Sequence, residues 1–199
     1  MAKSIEKKNS DKQSKRMLFW NNVLFYGMIV TGIIYVLISK VYSFIYAVLI
    51  PTLIVSWVIG KLLSKRKINP KYELYVNLSL WPNLIGEYYF YYHWVYYDKV
   101  LHFLIPIFIF VIAYEYISRE SKFYAKEKTF FYVLGITSAF EIFEYFQSGF
   151  FNFPSVGVYL NTDLVMAQYQ DTIWDLFSGV LGVFCYLAFL KIKEIAKKK

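Results

Sequence analysis

Six apolar stretches separated by short polar segments dominate the chain, at residues 17–39, 42–60, 74–91, 100–116, 129–146 and 172–190. Each approaches the about 20 apolar residues that a helix needs to cross a hydrocarbon layer roughly 30 Å thick. They are too long and too uniformly apolar for surface amphipathic helices. The pattern predicts an all-α polytopic transmembrane bundle of six spans, a single integral membrane domain over residues 17–190 between short tails at 1–16 and 191–199. The first stretch runs on through Lys40-Val41 into the second with no small-residue cleavage site, so it reads as a retained span and not as a secretory signal. Pro51 removes a backbone donor from the second stretch and predicts a kink there. The third is interrupted by Asn77, Pro82, Asn83 and Glu87 and can span or re-enter, while the fourth carries Pro106.

Composition agrees with this picture. Of 199 residues, 58% are hydrophobic and 22% aromatic, and only 18% are charged, against about a quarter in soluble domains. The single Cys185 excludes an intrachain disulfide or a thiolate metal cluster. The chain has no phosphate-binding glycine loop, dinucleotide fingerprint or zinc-protease motif, so no nucleotide cofactor is expected.

The net charge of +8 invites a nucleic-acid reading until its distribution is considered. Twenty of the 22 Lys and Arg residues fall in residues 1–16, 61–71, 119–128 and 191–199, leaving only Lys40 and Lys99 elsewhere. Six crossings place all four basic segments on one side, together with both termini. By the positive-inside rule that side is the cytoplasm and the membrane is the plasma membrane. The basic segments are then expected to meet anionic lipid headgroups and not nucleic acid. The outer side receives residues 40–41, the aromatic turn 91–98 and the loop 147–170, where Gly149, Pro154 and Gly157 signal turns and the aromatic content predicts an interfacial position. Tyr89 to Tyr92, Trp94, Tyr96 and Tyr97 read as an interfacial belt, with His93 among them, and Asp163 as a turn or cap.

Ionisable groups inside a span are costly and are functional candidates by default. Asp98 and His102 open the fourth span at i,i+4, Glu141 and Glu144 close the fifth at i,i+3, and Asp171 and Asp175 open the sixth at i,i+4. Each spacing presents its pair on one helix face, and the alternating directions bring all three pairs to the same outer level. Glu87 falls at that level too, with Asn83 a turn deeper, and Gln147 and Ser178 extend two of the polar faces. Glu115 lies near the opposite, inner end, where snorkelling toward headgroups explains it.

Six carboxylates at one level need protons, a hydrogen-bonded or wet setting, or a cation. Oxygen ligands suit magnesium, calcium or manganese, and an added imidazole admits zinc or iron. The candidate metal ligands are Asp98, His102, Glu141, Glu144, Asp171 and Asp175, and the candidate catalytic residues are His102, Glu141, Glu144 and Asp175, with Glu87, Asn83, Gln147 and Ser178 behind them. Such a centre activates water for attack on a phosphoryl, ester or amide group of an interfacial lipid or envelope precursor. Lys99 follows Asp98 but points about 100° away on the helix, so it is not expected to serve every carboxylate. Two other readings stand beside this one: a cation- or proton-coupled transporter, and a noncatalytic membrane or envelope-stress partner whose polar cluster only stabilises the bundle. Asp98 and Asp171 also suit helix N-caps. Gly179 and Gly182 allow local close approach to another helix.

At these spans the sequence resembles the small YjdF-like bacterial membrane proteins and, more distantly, VanZ-like proteins. The matching positions are Asp98, Lys99 and His102, then Glu141 and Glu144, then Asp171, Trp174, Asp175 and Gly179, within residues 97–190, about half the chain. The resemblance implies a bacterial polytopic membrane protein and supports the site without assigning a reaction. VanZ-like proteins are associated with glycopeptide resistance, but the basic residue they often carry before the last span has no clear counterpart here.

Overall fold

The computed structural model describes residues 2–40, 42, 45–151, 158–160 and 163–196. It is an all-α fold in which six helices longer than ten residues are accompanied by one short helix and a small hairpin. Among the described residues, three helical stretches, Gln13–Ser39, Tyr97–Glu120 and Gln168–Ala196, are long and apolar enough to cross a membrane. Apolar side chains along the helices, among them Phe131, Ile142, Phe143, Ile173 and Phe184, are exposed, as expected where lipid and not water is the solvent. The chain forms two compact units, Met1–Leu84 and Ile85–Lys199.

In the first unit, α1 (Ala2–Ser39) begins within the basic tail and ends where Lys40 takes a left-handed conformation at φ 59°. A π-helical turn, Ile45–Leu49, then leads into α2 (Ile50–Lys65). Pro51 therefore does not kink the middle of a straight helix. It sits in the first turn of α2, where a missing N–H costs least, and the wider π turn before it absorbs the irregularity. Asn69 accepts the Lys71 N–H at 3.0 Å and caps α3 (Lys71–Ile85). Met28, Val36, Val48, Leu49 and Leu84 form the core. Two polar pairs are buried with it: Ser56 donates to Asn77 Oδ1 at 2.6 Å, and Trp81 Nε1 donates to the Leu24 carbonyl at 3.2 Å.

The second unit opens with a π turn, Gly86–Phe90, and α4 (Tyr91–His93). Then come α5 (Tyr97–Glu120), α6 (Ala125–Phe151), an antiparallel hairpin of β1 (Val158–Leu160) and β2 (Asp163–Met166), and α7 (Gln168–Ala196). The segment 147–170, expected as an irregular interfacial loop, thus gains a hairpin. It also shortens at both ends, as α6 runs to Phe151 and α7 starts at Gln168. Asp163 opens β2 opposite Leu160, in place of a cap. His93 stacks on Tyr89 with ring centroids 4.0 Å apart and bonds its carbonyl through Nδ1 at 2.8 Å. Glu115 accepts from Arg119 one turn on, at 2.8 Å.

Helices α5, α6 and α7 pack against one another around Phe110, Val133 and Val183. What lets α5 and α7 approach is the absence of side chains on α7. A Cβ on Gly182 would stand 2.1 Å from the Phe103 carbonyl oxygen, and one on Gly179 would stand 3.4 Å from that of His102. Pro106, four residues after His102, has no N–H to offer that carbonyl. The close contact therefore lies just past His102 on α5 and seven residues, about two turns, past Asp175 on α7.

Candidate functional site

The polar pairs at the start of α5, the end of α6 and the start of α7 converge on one cluster. The first turn of α5 is clamped by aromatic rings, Tyr97 stacking on Phe90 with centroids 4.9 Å apart and meeting Tyr91 edge-on at 5.3 Å. That anchor places Asp98, Lys99 and His102 toward the neighbouring helices. Neither aspartate acts as an N-cap. The residue capping α5 is Tyr96, with no side-chain bond, and Asp171 lies in the first turn of α7, three residues after its start.

The Lys99 ammonium is the hub of one half. It donates to Asp98 Oδ2 at 3.0 Å and to one carboxylate oxygen each of Asp171 and Asp175, with the Asp171 carbonyl at 3.4 Å. His102 joins the two halves. Its Nε2 lies 3.3 Å from Asp98 Oδ1 and 4.0 Å from Asp175 Oδ1, and its Nδ1 lies 3.0 Å from Glu141 Oε1. A ring that donates from both nitrogens is an imidazolium; a ring that binds a metal gives one of them up as a lone pair. The Asp175 and Glu141 side chains are only 3% and 4% exposed.

This buried acidic and histidine cluster is able to hold a metal ion. Two groups have one ligand atom per residue all within 4.8 Å of one another: Asp98, His102 and Asp175, and His102, Glu141 and Glu144. Five carboxylates face one ammonium and one imidazole, so even with His102 protonated negative charge is in excess. A hard divalent cation with some nitrogen tolerance fits that donor set.

Six of the residues expected at the site, Asp98, His102, Glu141, Glu144, Asp171 and Asp175, are thus brought together. Ser178 is half-buried on α7, three residues past Asp175. The side chains of Glu87 and Gln147 lie outside the described residues, and Asn83 belongs to the Met1–Leu84 unit. Lys99 is the residue whose part sequence reasoning underrated. The 100° step between neighbours fixes where its Cβ points, but its four-carbon stem lets the ammonium curl back to the aspartates. The available signal was its isolation: Lys40 and Lys99 alone lie outside the four basic segments.

Below the cluster, away from the helix ends that carry it, α6 and α7 enclose a small cavity lined by Phe130, Val133, Leu134, Thr137, Gly179, Val180 and Val183. The Thr137 hydroxyl is already bonded to its own helix, to the Val133 carbonyl at 3.0 Å, so the lining is effectively apolar. Polar character ends within one turn of Glu141 and Asp175.

No curated protein and no solved structure matches the chain. A family model described as "Predicted membrane protein (DUF2238)" matches residues 21–194, which includes every residue of the cluster. With most of its length covered by that model, the chain belongs to the DUF2238 family of predicted membrane proteins.

Proposed function

We propose that the protein is a six-crossing plasma-membrane protein with cytoplasmic termini whose cluster is a divalent-cation centre near the outer face. In this reading it serves a hydrolase or transferase acting on an interfacial lipid or envelope precursor. The carrying observation is that His102, Glu141 and Glu144, from two helices, bring ligand atoms within 4.8 Å of one another in a buried setting. Bound there, the ion supplies Lewis acidity and an acidified water. The protein's own residues do the rest. Asp98 holds the imidazole through Nε2, which leaves Nδ1, on the side of Glu141 and Glu144, for the ion, and a carboxylate not engaged with the ion accepts a proton. The apolar lining one turn beyond the cluster favours a one-sided centre over a transport path, which needs polar groups at successive depths. The YjdF-like and VanZ-like resemblance accords with an envelope role.

Metal content decides the first step. Protein purified in detergent and equilibrated with divalent ions is expected to retain about one ion per chain, lost in Glu141→Gln and in Glu144→Gln with helical content unchanged. Wild-type protein that retains no ion under any loading condition overturns the reading. Where metal is held, release of product from phosphate-, ester- and amide-linked lipids, abolished by the same two substitutions, identifies the reaction class.

A further inference from the structure

The two halves of the cluster are not equivalent, because a cation already sits among the aspartates of one of them. Three carboxylates from two helices meet at the Lys99 nitrogen, and an ammonium has three protons to give. Asp98, Asp171 and Asp175 take them, and the Asp171 carbonyl stands by at 3.4 Å as a fourth oxygen. Oxygens converging on one positive centre from several sides are what a hard divalent ion selects. The Lys99 side chain is 12% exposed, so its charge is held out of water and against its partners. The imidazole divides the halves by nitrogen, Nε2 toward Asp98 and Asp175 and Nδ1 toward Glu141. In the turn that carries both aspartates, the Thr172 hydroxyl is buried with no hydrogen-bond partner among the described residues, a further oxygen at that end of α7.

We infer that Lys99 is a tethered cation filling a second divalent-ion site built by Asp98, Asp171 and Asp175, so that the protein takes one exchangeable ion, at His102, Glu141 and Glu144, where the cluster has ligands for two. This rests on the metal reading above for the His102 half only. Replacing Lys99 by an apolar residue leaves three buried carboxylates without their counter-ion. A divalent cation restores the balance with ligands already in place, at the position the ammonium held. Replacing it by arginine keeps the charge and keeps the site closed.

The test uses manganese(II) as the probe, with the full chain in detergent, and reads bound metal by elemental analysis and electron spin resonance. Wild type and Lys99→Arg are expected to bind one ion per chain and Lys99→Met two, a doubling, with the spin signal broadened by the neighbouring ion. Lys99→Met combined with Asp175→Asn is expected to return to one. A folded Lys99→Met protein that binds no more manganese than wild type overturns the inference and leaves the first reading standing. Zero ions in wild type and one in Lys99→Met does the opposite, removing the His102 centre and supporting the Lys99 site. If Lys99→Met is unstable alone, its thermal midpoint is expected to rise with manganese by more than that of wild type. Failure of manganese to recover the fold counts against the inference.

Discussion

Glu73 shows how a single carboxyl outside the cluster ties pH to stability. It stands in the first turn of α3, one residue before the third predicted crossing, where the Asn21 side chain bonds it and where a Cβ on Gly60 would meet its Oε1 at 2.8 Å. Burial pushes its carboxyl above the usual 4.5, and the bond from Asn21 opposes that rise only in part. The folded chain therefore holds this proton more tightly than the unfolded chain, and stability falls as pH rises from the ordinary carboxyl value through the raised one. Glu73→Gln keeps an acceptor for Asn21 and removes the charge. Relative to this variant, wild type is expected to be of similar stability below pH 4.5 and less stable at neutral pH, read as the difference in thermal midpoint across that range. A difference that does not change with pH sinks the argument. Comparing the two proteins cancels the titration of the cluster. At this scale the sequence was informative wherever a charge fell well inside a span, as with His102, Glu141 and Asp175. It was uninformative where partners came from distant segments, as for Asn21 and Glu73, or where a long side chain outran the direction of its Cβ, as for Lys99.

At the scale of elements, the site depends on how closely α5 and α7 pass. A methyl group on Gly182 would lie 2.1 Å from a backbone oxygen and 3.0 Å from the carbonyl carbon of Phe103, neither of which can rotate aside. The two helices must separate by about 1 Å to admit it, with an overpacking cost of roughly 1–3 kcal/mol. Gly182→Ala is therefore expected to lower the thermal midpoint clearly, since the parted helices also stretch the Lys99–Asp175 bridge between them. Gly179→Ala meets its neighbours at an ordinary 3.4 Å and is expected to change little. Equal effects from the two substitutions, measured side by side, would contradict this reading of the interface. The pair of glycines was legible as a place of close approach, but the helix they face was not, because spacing on one helix does not name its neighbour. The helices themselves were legible from the apolar blocks within six residues at their ends, except that α1 starts 15 residues earlier, in the basic tail, and α2 eight residues later, behind a π turn. The hairpin of Val158–Leu160 and Asp163–Met166 was not, since aromatic and β-branched residues suit an interfacial loop as well as a strand, and pairing is a non-local event. The π turns were hidden for a related reason: Pro51 and Pro82 announce a disturbance of the backbone without fixing the form it takes.

For the whole molecule, charge and chemistry lie at opposite ends of the same helices, and that polarity carries a topology. Helix α6 carries Lys126 and Lys128 in its first turn and Glu141 and Glu144 in its second half, and α7 carries Asp171 and Asp175 in its first two turns and Lys191 and Lys193 in its last two. The far end is marked by an ion pair, Lys126 to Glu194 at 2.9 Å. Both partners are largely exposed, so the pair adds little stability. Its hydrogen bond raises the Lys126 value further, which keeps that end of α6 cationic at all physiological pH. If the basic segments are cytoplasmic, as retention of Lys and Arg on that side requires, the cluster and the hairpin must face out. Single cysteines in a Cys185→Ser background test this without disturbing either end: Leu164→Cys on the exposed part of β2 and Lys122→Cys in the turn between α5 and α6. In right-side-out bacterial spheroplasts, a membrane-impermeant maleimide is expected to label Leu164→Cys at once and Lys122→Cys only after the membrane is opened. Labelling of both from the outside, or of Lys122→Cys alone, would mean that the chain does not cross between these positions in the expected sense. The outer-face centre would then have to be abandoned, whatever metal it proved to hold.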